Sequence, residues 1–333
     1  MNRQWLLASR PQGMVSPENF AWREAEVPVP AEGEALVRNL YLSLDPAMRG
    51  WMNDAPSYVP PVGIGEVMRG GCVGRVEKSN DPALEEGALV AGMFGWQDYA
   101  LVRPGDARLS RIPDGVEPTL ALSALGMTAL TAYWGLKEIG RPQPGETVVV
   151  SAAAGATGSV AGQIAKIRGC RVIGIAGGAE KCAWIVDELG FDAAIDYRAE
   201  RVSRRLRELC PDGIDVYWDN VGGEILEAAL ANLAMHARVV ICGAISQYNA
   251  EAPPGGPRNY MNLLVKRSRM EGFLVFDYAA RNGEAMAELV PWVREGKIRH
   301  REDVREGLEN APAVFLDLFE GKNAGKLMVK IAD

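Results

Sequence analysis

The sequence has few of the side chains that bind transition metals. It contains only two histidines, His236 and His300, and both stand in polar or charged surroundings typical of a protein surface. The five cysteines are scattered along the chain without a CxxC spacing, at Cys72, Cys170, Cys182, Cys210 and Cys242. An odd number of cysteines without that spacing supports neither a disulfide framework nor a zinc cluster. We therefore expect no metal site.

The sequence also lacks long apolar runs and an excess of positive charge. No 18-residue apolar segment is present, and the N-terminal MNRQWLLASR lacks the apolar run of a signal peptide. The 36 Lys and Arg residues are outnumbered by 43 Asp and Glu residues, which gives a net charge of −7. This balance disfavours nucleic acids and membrane surfaces as partners. The sequence therefore predicts a cytoplasmic protein with neither kind of partner.

A buried strand followed by a glycine-rich turn is the most informative segment. Residues 147–150 form an unbroken β-branched run, as expected of a central parallel strand covered on both faces. The run leads into SAAAGATGSVAGQIAK, where Gly155 and Gly158 let the backbone turn close to a ligand and Gly162 lets a helix pack tightly. A helix N-terminus attracts phosphate. Taken alone, the turn fits an ordinary strand–helix connection equally well.

The residues after this turn alternate between strand-like and helix-like segments. Strands are predicted over residues 171–176, 193–196, 214–219 and 237–242, and helices over residues 180–189, 201–210 and 223–232. Such alternation predicts an α/β domain with a doubly wound parallel sheet. Ligands of these sheets bind beyond the carboxyl ends of the strands, so the glycine-rich turn becomes a candidate phosphate site.

The end of the second strand bears on which nicotinamide cofactor fits. An NAD site usually has Asp or Glu there, which binds the ribose 2′-hydroxyl. Residues 176–179 carry no carboxylate, Lys181 follows directly after Glu180, and Tyr197 and Arg198 end the third strand. Small residues leave room for a 2′-phosphate, and a lysine or arginine gives it charge-assisted hydrogen bonds. The pattern favours NADPH, although Lys181 alone also fits an exposed helix residue.

Both ends of the chain have a different pattern from its middle. Short β-rich segments bounded by Pro and Gly indicate an irregular antiparallel domain, over residues 4–8, 34–42, 70–77, 88–94 and 98–102. Helices are predicted over 127–139 and 311–319, and a final strand over 326–331. A chain of 333 residues is too long for one ordinary core. We predict one domain of residues 1–125 completed by 297–333, and a cofactor-binding domain of residues 126–296.

Several long motifs occur in the order found in one enzyme family. They are YLSLDPAMRG (41–50), GWQDYA (95–100), LGMTALTAY (125–133), DNVGG (219–223), CGAISQYN (242–249), MEGFLVFDY (270–278) and GKNAGK (321–326). Together with the glycine-rich turn they resemble the zinc-free medium-chain dehydrogenases/reductases over nearly the whole chain. The nearest group is the leukotriene B4 dehydrogenase, prostaglandin reductase and alkenal double-bond reductase family, with its curcumin-reductase-like bacterial relatives.

This resemblance implies an architecture and an activity. The architecture is a GroES-like β-rich domain joined to a Rossmann domain with a doubly wound parallel sheet. The activity is that of an NADP-dependent oxidoreductase, which reduces the carbon–carbon double bond of a small α,β-unsaturated ketone or aldehyde by hydride transfer to the β-carbon. The resemblance also implies a homodimer.

The resemblance further implies the cofactor contacts. The pyrophosphate turn corresponds to Gly155, Ala156, Thr157 and Gly158, and the 2′-phosphate contacts correspond to Lys181 and Tyr197. The ribose and nicotinamide contacts correspond to Asn220, Cys242, Gly243, Ala244, Ile245, Ser246, Gln247 and Tyr248. The carboxamide contacts correspond to Phe273, Leu274 and Val275, and a further cofactor contact corresponds to Asn323. Each of these residues also fits an ordinary packing or turn position.

The implied reaction needs a hydrogen bond to a developing enolate oxygen and a proton for the α-carbon. The candidate donors are the cofactor ribose hydroxyl, Tyr248 and Tyr260, so these two tyrosines are the candidate catalytic residues. Many relatives have tyrosine at the position of Ala47, and plant members have it at the position of Val265. The two missing phenols weaken a tyrosine-dependent mechanism and suggest a wider, more apolar pocket.

Aromatic residues of the N-terminal segments are candidate walls of this substrate pocket. They are Trp51, Tyr58 and Trp96. Each of them fits a core position equally well.

Three other functions remain open on the sequence alone. A quinone reductase would use the same fold and cofactor. A zinc alcohol dehydrogenase would need Cys and His ligands that the chain does not easily furnish. A non-catalytic NADPH-binding or nucleic-acid-binding protein is disfavoured by the acidic charge balance and by the lack of a basic patch with interleaved aromatic residues.

Overall fold

The computed structural model describes residues 1–106, 109–252 and 254–333. The chain forms two compact units: unit 1 contains Met1–Leu122 and Glu302–Asp333, and unit 2 contains Ser123–Arg301. The sequence prediction places the corresponding boundaries after residues 125 and 296. Unit 1 is assembled from both ends of the chain, and unit 2 from its middle.

The strands are numbered along the chain. They are β1 (Asn2–Leu7), β2 (Phe20–Ala25), β3 (Ala35–Ser43), β4 (Cys72–Ser79), β5 (Leu89–Gly92), β6 (Tyr99–Val102), β7 (Ser110–Arg111), β8 (Thr147–Ser151), β9 (Arg171–Ala176), β10 (Ala193–Asp196), β11 (Ile214–Asp219), β12 (Leu233–Ile241), β13 (Arg269–Gly272), β14 (Glu302–Glu306) and β15 (Lys326–Lys330).

The α-helices are likewise numbered along the chain. They are α1 (Ala47–Trp51), α2 (Met127–Trp134), α3 (Ala156–Ile167), α4 (Ala179–Asp187), α5 (Val202–Leu209), α6 (Gly223–Leu230), α7 (Met261–Lys266), α8 (Asn282–Arg294) and α9 (Ala311–Glu320). Short 3₁₀ helices occupy Pro17–Asn19, Pro118–Leu122, Ile245–Gln247, Val275–Arg281 and Leu308–Asn310. Within the described ranges, no helix combines the length and the apolar character needed to cross a lipid bilayer.

Unit 1 is built on a seven-stranded sheet. The strand order is β14-β15-β3-β4-β5-β7, and β6 pairs with β3. The nine-residue β3 buries nearly all of its side chains and pairs antiparallel with β4, β6 and β15. β1 and β2 form a separate antiparallel pair, in which Trp5 lies opposite Trp22. The C-terminal strand β15 therefore lies inside a sheet made mostly of N-terminal strands.

A buried ion pair connects the two chain ends within unit 1. Lys326 Nζ lies 2.6 Å from Asp45 Oδ1 and donates to the Leu44 carbonyl oxygen at 3.1 Å. The side chains of Lys326 and Asp45 are only 3% and 10% exposed. The Ser43 hydroxyl donates to the other carboxylate oxygen of Asp45. Because an unpaired charge is costly away from water, each member of this pair depends on the other.

Unit 2 contains a six-stranded parallel sheet in the order β10-β9-β8-β11-β12-β13. Val149 of β8 pairs with Ile173 of β9 and Tyr217 of β11, so the carboxyl ends of these strands lie along one edge. β8 and β9 bury almost every side chain, as the unbroken apolar runs predict. Helices α3 to α6 alternate with the strands along the chain. The predicted fold class, a β-rich part together with a doubly wound parallel sheet, is confirmed.

The sequence prediction lacks the strands β2, β7, β13 and β14 and the helices α1, α7 and α8. β13 has four exposed residues and β14 has mostly exposed ones, so no alternation of buried and exposed positions marks either strand. β12 begins at Leu233 rather than at residue 237. An irregular pairing with β11 interrupts its first half, where the exposed His236 has a φ of 61°.

The helix predicted over residues 127–139 is regular only to Trp134. It continues as a π-helix over Gly135–Gly140. Gly135 packs against the rings of Trp218 and Phe273, where a side chain would collide. The predicted helix is thus confirmed in its extent, but from Gly135 onward it is a π-helix, a difference that helix propensity does not record.

Replacing Lys326 with methionine should destabilise the protein by about 3 to 5 kcal/mol, because the buried Asp45 carboxylate then lacks its cation. The midpoint of urea denaturation, followed by circular dichroism, measures the loss. Lys330→Met is the matched control on the same strand, since Lys330 pairs with Asp333, whose side chain is 97% exposed. The control should keep the wild-type midpoint. Equal midpoints for the two variants would show that the buried pair has no special role.

Candidate cofactor and active site

The turn between β8 and α3 forms a tight backbone cradle. Ala152 adopts a left-handed conformation, with φ 47°, directly after the strand. The Gly155 N–H donates to the Ala152 carbonyl oxygen at 2.9 Å, one residue before the helix begins. A Cβ atom on Gly158 would collide with the same carbonyl group. Position 158 therefore accepts only glycine without a backbone shift.

The first turn of α3 suits a phosphate group. It consists of the small residues Ala156, Thr157 and Gly158, and no side chain caps it. The first N–H groups of a helix have no intrahelical acceptor and lie at the positive end of the helix dipole. A 12-residue helix that starts at the carboxyl end of a central strand is the arrangement that binds a dinucleotide pyrophosphate. The structure thus brings the predicted turn residues together at one strand end.

Lys181, Tyr197 and Arg198 stand at the ends of the neighbouring strands β9 and β10. Lys181 is half-buried on the first turn of α4. The Tyr197 ring lies against Gly177. A Cβ atom on this glycine would be only 2.8 Å from the phenolic oxygen of Tyr197. Tyr197 is 45% exposed, and the Arg198 guanidinium carbon lies 5.9 Å from its ring centroid. This edge offers two cationic residues and an accessible phenol, with no carboxylate directly after β9.

Two acidic residues of this edge, Asp196 and Asp219, were not selected from the sequence. Both are the last residues of their strands, β10 and β11. The Asp196 carboxylate accepts backbone N–H groups from the segments that carry Lys181 and Tyr197. The shared signal, an acidic residue at the carboxyl end of a buried strand, was present in the sequence. It predicts a polar contact at the edge without identifying the partners.

Asp219 is the centre of a buried hydrogen-bond network. Its Oδ1 atom accepts hydrogen bonds from the hydroxyls of Ser151 (3.1 Å) and Tyr217 (3.0 Å) and from the N–H groups of Val221 and Gly222 (3.0 Å each). Asp219 is 1% exposed. Burial is the largest influence and raises the pKa of this carboxyl, although the hydrogen bonds oppose the shift. The network fixes the end of β11 against the end of β8.

Asn220 is held by contacts to both strands. Its side-chain amide donates to the Ser151 carbonyl oxygen at 2.6 Å, and its Oδ1 accepts from the Trp218 indole N–H at 3.1 Å. The Asn220 N–H also donates to the Ser151 hydroxyl at 2.8 Å. The amide is therefore fixed in orientation at the carboxyl edge. The resemblance places it among the residues that line the ribose and the nicotinamide.

The segment 242–248 is tied to the end of β11. The N–H groups of Cys242 and Gly243 donate to the Asp219 carbonyl oxygen at 2.9 and 3.1 Å. Further along, the phenolic oxygen of Tyr248 accepts the Ala244 N–H at 3.1 Å and folds the segment back on itself. Burial raises the pKa of the Cys242 thiol to about 12, which disfavours the thiolate form.

The remaining members of this segment contact the end of β11 as well. The Ile245 N–H donates to the Asn220 carbonyl oxygen at 3.1 Å, and the Ser246 N–H donates to the Val221 carbonyl oxygen at 3.2 Å. Ile245–Gln247 forms a single 3₁₀ turn. The structure therefore brings the predicted segment 242–248 beside Asn220, as one hydrogen-bonded group at the carboxyl edge of the sheet.

Phe273, Leu274 and Val275 follow the edge strand β13 and are half-buried. The Phe273 ring meets the Trp218 ring edge to face, with centroids 6.0 Å apart. Trp218 is fully buried and also holds Asn220 through its indole N–H. Like Asp196 and Asp219, it is not identified by the sequence, because an apolar strand residue gives no sign that it joins two segments of a site.

Tyr260 lies outside this hydrogen-bonded group. It precedes the first residue of α7 and is 58% exposed, and Val265 on the same helix is 63% exposed. The structure therefore fixes the phenol of Tyr248 at the strand ends, whereas it does not place the phenol of Tyr260 there.

The remaining predicted site residues belong to unit 1. Trp51 is 3% exposed and donates its indole N–H to the Tyr58 oxygen at 3.0 Å. Tyr58 is 46% exposed and lines a cavity of about 440 Å³ formed by residues 54–61. Trp96 is fully buried and stacks on Phe20, with centroids 5.3 Å apart, so it is a core residue. The Asn323 amide donates to the Gly325 carbonyl oxygen at 2.9 Å, in the turn before β15.

The part of the chain that the structure describes contains no cluster of three or more His, Cys, Asp or Glu residues able to hold a metal ion. His236 and His300 are both exposed, and the cysteines are far apart in the sequence. A zinc ion would therefore lack the usual protein ligands within this part of the chain.

Two family models match the chain. Residues 3–110 match the N-terminal domain of oxidoreductases, and residues 156–295 match the model described as zinc-binding dehydrogenase. The first range lies in unit 1. The second lies in unit 2 and includes α3 and the ends of strands β9 to β13, whereas β8 and Gly155 precede it.

Several proteins similar to the chain are named reductases. It is 48% identical to the NADPH-dependent curcumin reductase of Escherichia coli over 336 residues, which cover 99% of this chain and 97% of that protein. It is 42% identical to the NADP-dependent 2-alkenal reductase of Nicotiana tabacum, over 90% of this chain and 88% of that protein. The structure of CurA from Vibrio vulnificus in complex with NADPH superposes with a TM-score of 0.94, at 49% identity and 99% coverage of both chains. With these relatives and this two-unit fold, the chain belongs to the medium-chain dehydrogenase/reductase family and is an oxidoreductase.

Proposed function

We propose that the protein is a cytoplasmic, NADPH-dependent reductase that saturates the carbon–carbon double bond of small α,β-unsaturated ketones and aldehydes without zinc. The observation that carries the proposal is the strand edge at β9 and β10. Lys181 and Tyr197 stand there, and the carboxylate typical of NAD sites is missing after β9. Five unpaired cysteines fit a reducing compartment.

The residues of unit 2 fit NADPH along the carboxyl edge of the sheet. The cradle at residues 155–158 would bind the pyrophosphate at the first turn of α3, and Gly158 allows this tight turn because a Cβ atom there would collide with the Ala152 carbonyl group. Lys181 and Tyr197 would bind the 2′-phosphate through a charge-assisted and a neutral hydrogen bond. Residues 242–248 and 273–275 would bind the nicotinamide end. When bound, NADPH supplies a hydride to the β-carbon of the substrate, and negative charge then develops on its carbonyl oxygen.

The protein has to stabilise that charge and deliver a proton to the α-carbon. Tyr248 is the tyrosine that the strand-end contacts favour, because the Ala244 N–H fixes its oxygen at 3.1 Å. A phenol that accepts one hydrogen bond can still donate its own proton. We propose that this donation is shared with the cofactor ribose hydroxyl and solvent, so that no single phenol is indispensable.

The relatives support the substrate class. A 2-alkenal reductase and a curcumin reductase are 42% and 48% identical to this chain over most of its length. Alkenals and curcumin share a carbon–carbon double bond conjugated to a carbonyl group. Reduction of that bond is the reaction that the two kinds of substrate have in common.

NADPH oxidation in the presence of alkenals, alkenones, dienones and quinones tests this substrate class. We expect turnover with the alkenals and alkenones, and a saturated carbonyl compound as the product in mass spectrometry. The rate should be unchanged after dialysis against EDTA, because the described residues offer no metal site. Turnover of quinones alone would contradict the substrate class, and stoichiometric zinc in the purified protein would contradict the zinc-free proposal.

Lys181→Ala should weaken NADPH binding roughly 10- to 100-fold and leave NADH binding nearly unchanged. The physical reason is the loss of one charge-assisted contact, worth about 1.5 to 3 kcal/mol. Dissociation constants from titration of cofactor fluorescence measure both effects. Lys166→Ala is the control. Lys166 lies in the last turn of α3, at the opposite end of this helix from the proposed phosphate cradle, and it pairs with Asp192. An equal loss for NADPH and NADH would refute the assignment of Lys181.

Tyr248→Phe should retain the fold and slow hydride transfer less than about 100-fold, because losing a sole oxyanion donor typically costs about 10² to 10³ in rate. Single-turnover reduction of an alkenone with NADPH deuterated at C4 measures the step in both proteins. A deuterium effect shows that the observed rate is that of hydride transfer.

The exposed Tyr260 provides the matched control for this experiment, and Tyr260→Phe should keep the wild-type rate. The NADPH dissociation constant of each variant reveals whether loss of the Ala244 contact has loosened the segment 242–248. If Tyr248→Phe abolished hydride transfer while NADPH bound normally, the idea of shared donation would be wrong.

We further propose a homodimer formed through the edge strand β13. All four residues of β13 are exposed, and its outer edge pairs with no strand of the described residues. Three apolar residues of the preceding helix α7 are exposed to solvent: Met261 is 51% exposed, Leu264 68% and Val265 63%. An open edge beside exposed apolar side chains favours association. A twofold axis at this edge would pair β13 with its own copy.

A charge at this surface should therefore separate the two copies. Wild-type protein should have twice the 36.0 kDa mass of one chain in light scattering, whereas Leu264→Asp should shift it towards the monomer. Ile64→Asp is the control, because Ile64 is an exposed apolar residue of unit 1, 56% exposed. A dimer that withstands Leu264→Asp but dissociates with Ile64→Asp would place the interface elsewhere.

A further inference from the structure

The carboxylate of Asp196 lies at the proposed 2′-phosphate edge, at the end of β10. Asp196 Oδ1 accepts the Gly178 N–H at 2.8 Å and the Arg198 N–H at 3.0 Å. The Asp196 backbone N–H donates to Glu200 Oε2 at 3.0 Å. The pairing of β10 with β9 ends at this residue, which lies opposite Ala176. One side-chain oxygen therefore continues the connection between the two strands beyond the last ladder pair.

The two N–H groups belong to the segments that carry the 2′-phosphate candidates. Gly178 has a φ of 94° and precedes the first residue of α4, whose first turn contains Lys181. Arg198 directly follows Tyr197, whose ring lies against Gly177. The position of Lys181 relative to Tyr197 thus depends on how these two segments are joined, and Asp196 is a direct hydrogen-bonded link between them.

A carboxylate beside a phosphate site would repel the ligand unless its charge is engaged. Two backbone N–H groups face the same oxygen of Asp196 and stabilise that charge locally. Its place on β10 also differs from that of the NAD-binding acid, which ends the second strand of the fold. The charge of Asp196 is therefore used to order backbone rather than to bind a ribose hydroxyl.

We propose that Asp196 is a positioning residue that sets the preference for NADPH over NADH by holding Lys181 and Tyr197 at a fixed spacing. This inference rests on the proposed NADPH site. It goes further, because it assigns the cofactor preference to a residue that need not touch the cofactor. This residue is also acidic, and an acidic residue at such a site is usually associated with a preference for NADH.

Asp192 offers a matched control for this role. It stands just before β10, at the opposite end of the strand, and its Oδ2 accepts the Val172 N–H of β9 at 2.7 Å. The two aspartates thus make the same kind of contact between the same two strands. Only Asp196 makes this contact next to Lys181 and Tyr197. Comparing variants of the two aspartates therefore separates a general loss of strand pairing from a specific loss of cofactor preference.

The experiment compares dissociation constants for NADPH and NADH in wild-type protein, Asp196→Ala, Asp196→Asn and Asp192→Ala, by titration of cofactor fluorescence. Asp196→Ala should lower the NADPH/NADH preference about tenfold, the size of one charge-assisted contact. Asp196→Asn should keep most of the preference, because its amide oxygen can accept the same two N–H groups. Asp192→Ala should lower the thermal midpoint and leave the preference unchanged.

Equal weakening of NADPH and NADH by Asp196→Ala, or a loss in Asp192→Ala as large as in Asp196→Ala, would overturn the proposal. If the alanine variant does not fold, Asp196→Ser takes its place, because a serine hydroxyl can accept only part of the contact and should give an intermediate preference. The wild-type and Lys181→Ala titrations test the proposed function separately. A wild-type protein without preference would refute the NADPH site itself, whereas an intact preference in every Asp196 variant would refute only the positioning role.

Discussion

The buried carboxylate of Asp219 controls the geometry of the carboxyl edge in unit 2. Its Oδ1 atom joins the ends of β8 and β11, and its carbonyl oxygen accepts the N–H groups that begin the segment 242–248. Burial raises the pKa of this carboxyl, and the four hydrogen bonds to Oδ1 offset part of the cost of keeping it from water. Three parts of the site are thus fixed by one residue. Loss of any one donor would leave Oδ1 with three hydrogen bonds and weaken the stabilisation of a carboxylate that water does not reach.

The rest of this edge is built from backbone groups and small residues. The proposed phosphate cradle uses the first turn of α3, and the N–H groups of the segment 242–248 donate to carbonyl groups at the end of β11. Such a site orients a cofactor that carries the reactive chemistry, and it needs few acid–base side chains of its own. This explains why the sequence shows no carboxylate dyad and no cysteine–histidine pair, and why a chain with only two exposed histidines can still be an oxidoreductase.

The strands at residues 171–176, 193–196 and 214–219 are predictable because unbroken apolar runs and short connections leave few alternatives. The turn at Gly155 and Gly158 is predictable as well, because its signal, glycines directly after a strand, is also local. The sequence does not reveal contacts between distant residues. Nothing local distinguishes Trp96, stacked in a core, from Trp51, which reaches the exposed Tyr58. Likewise, the contacts of Asp196 depend on two strands meeting at an edge.

The insertion of β15 into the sheet of unit 1 has a consequence for biosynthesis. β15 pairs with β3 and β14, and Lys326 pairs with Asp45, so this sheet brings together residues from opposite ends of the polypeptide. Unit 2 is continuous in sequence and can fold while the chain is still emerging from the ribosome. The N-terminal strands have to wait, with the edge of β3 exposed, until residue 330 has been translated. Pairing between strands so far apart in the sequence gives this sheet a high contact order, and an unpaired strand edge is open to mispairing until its partner has been made.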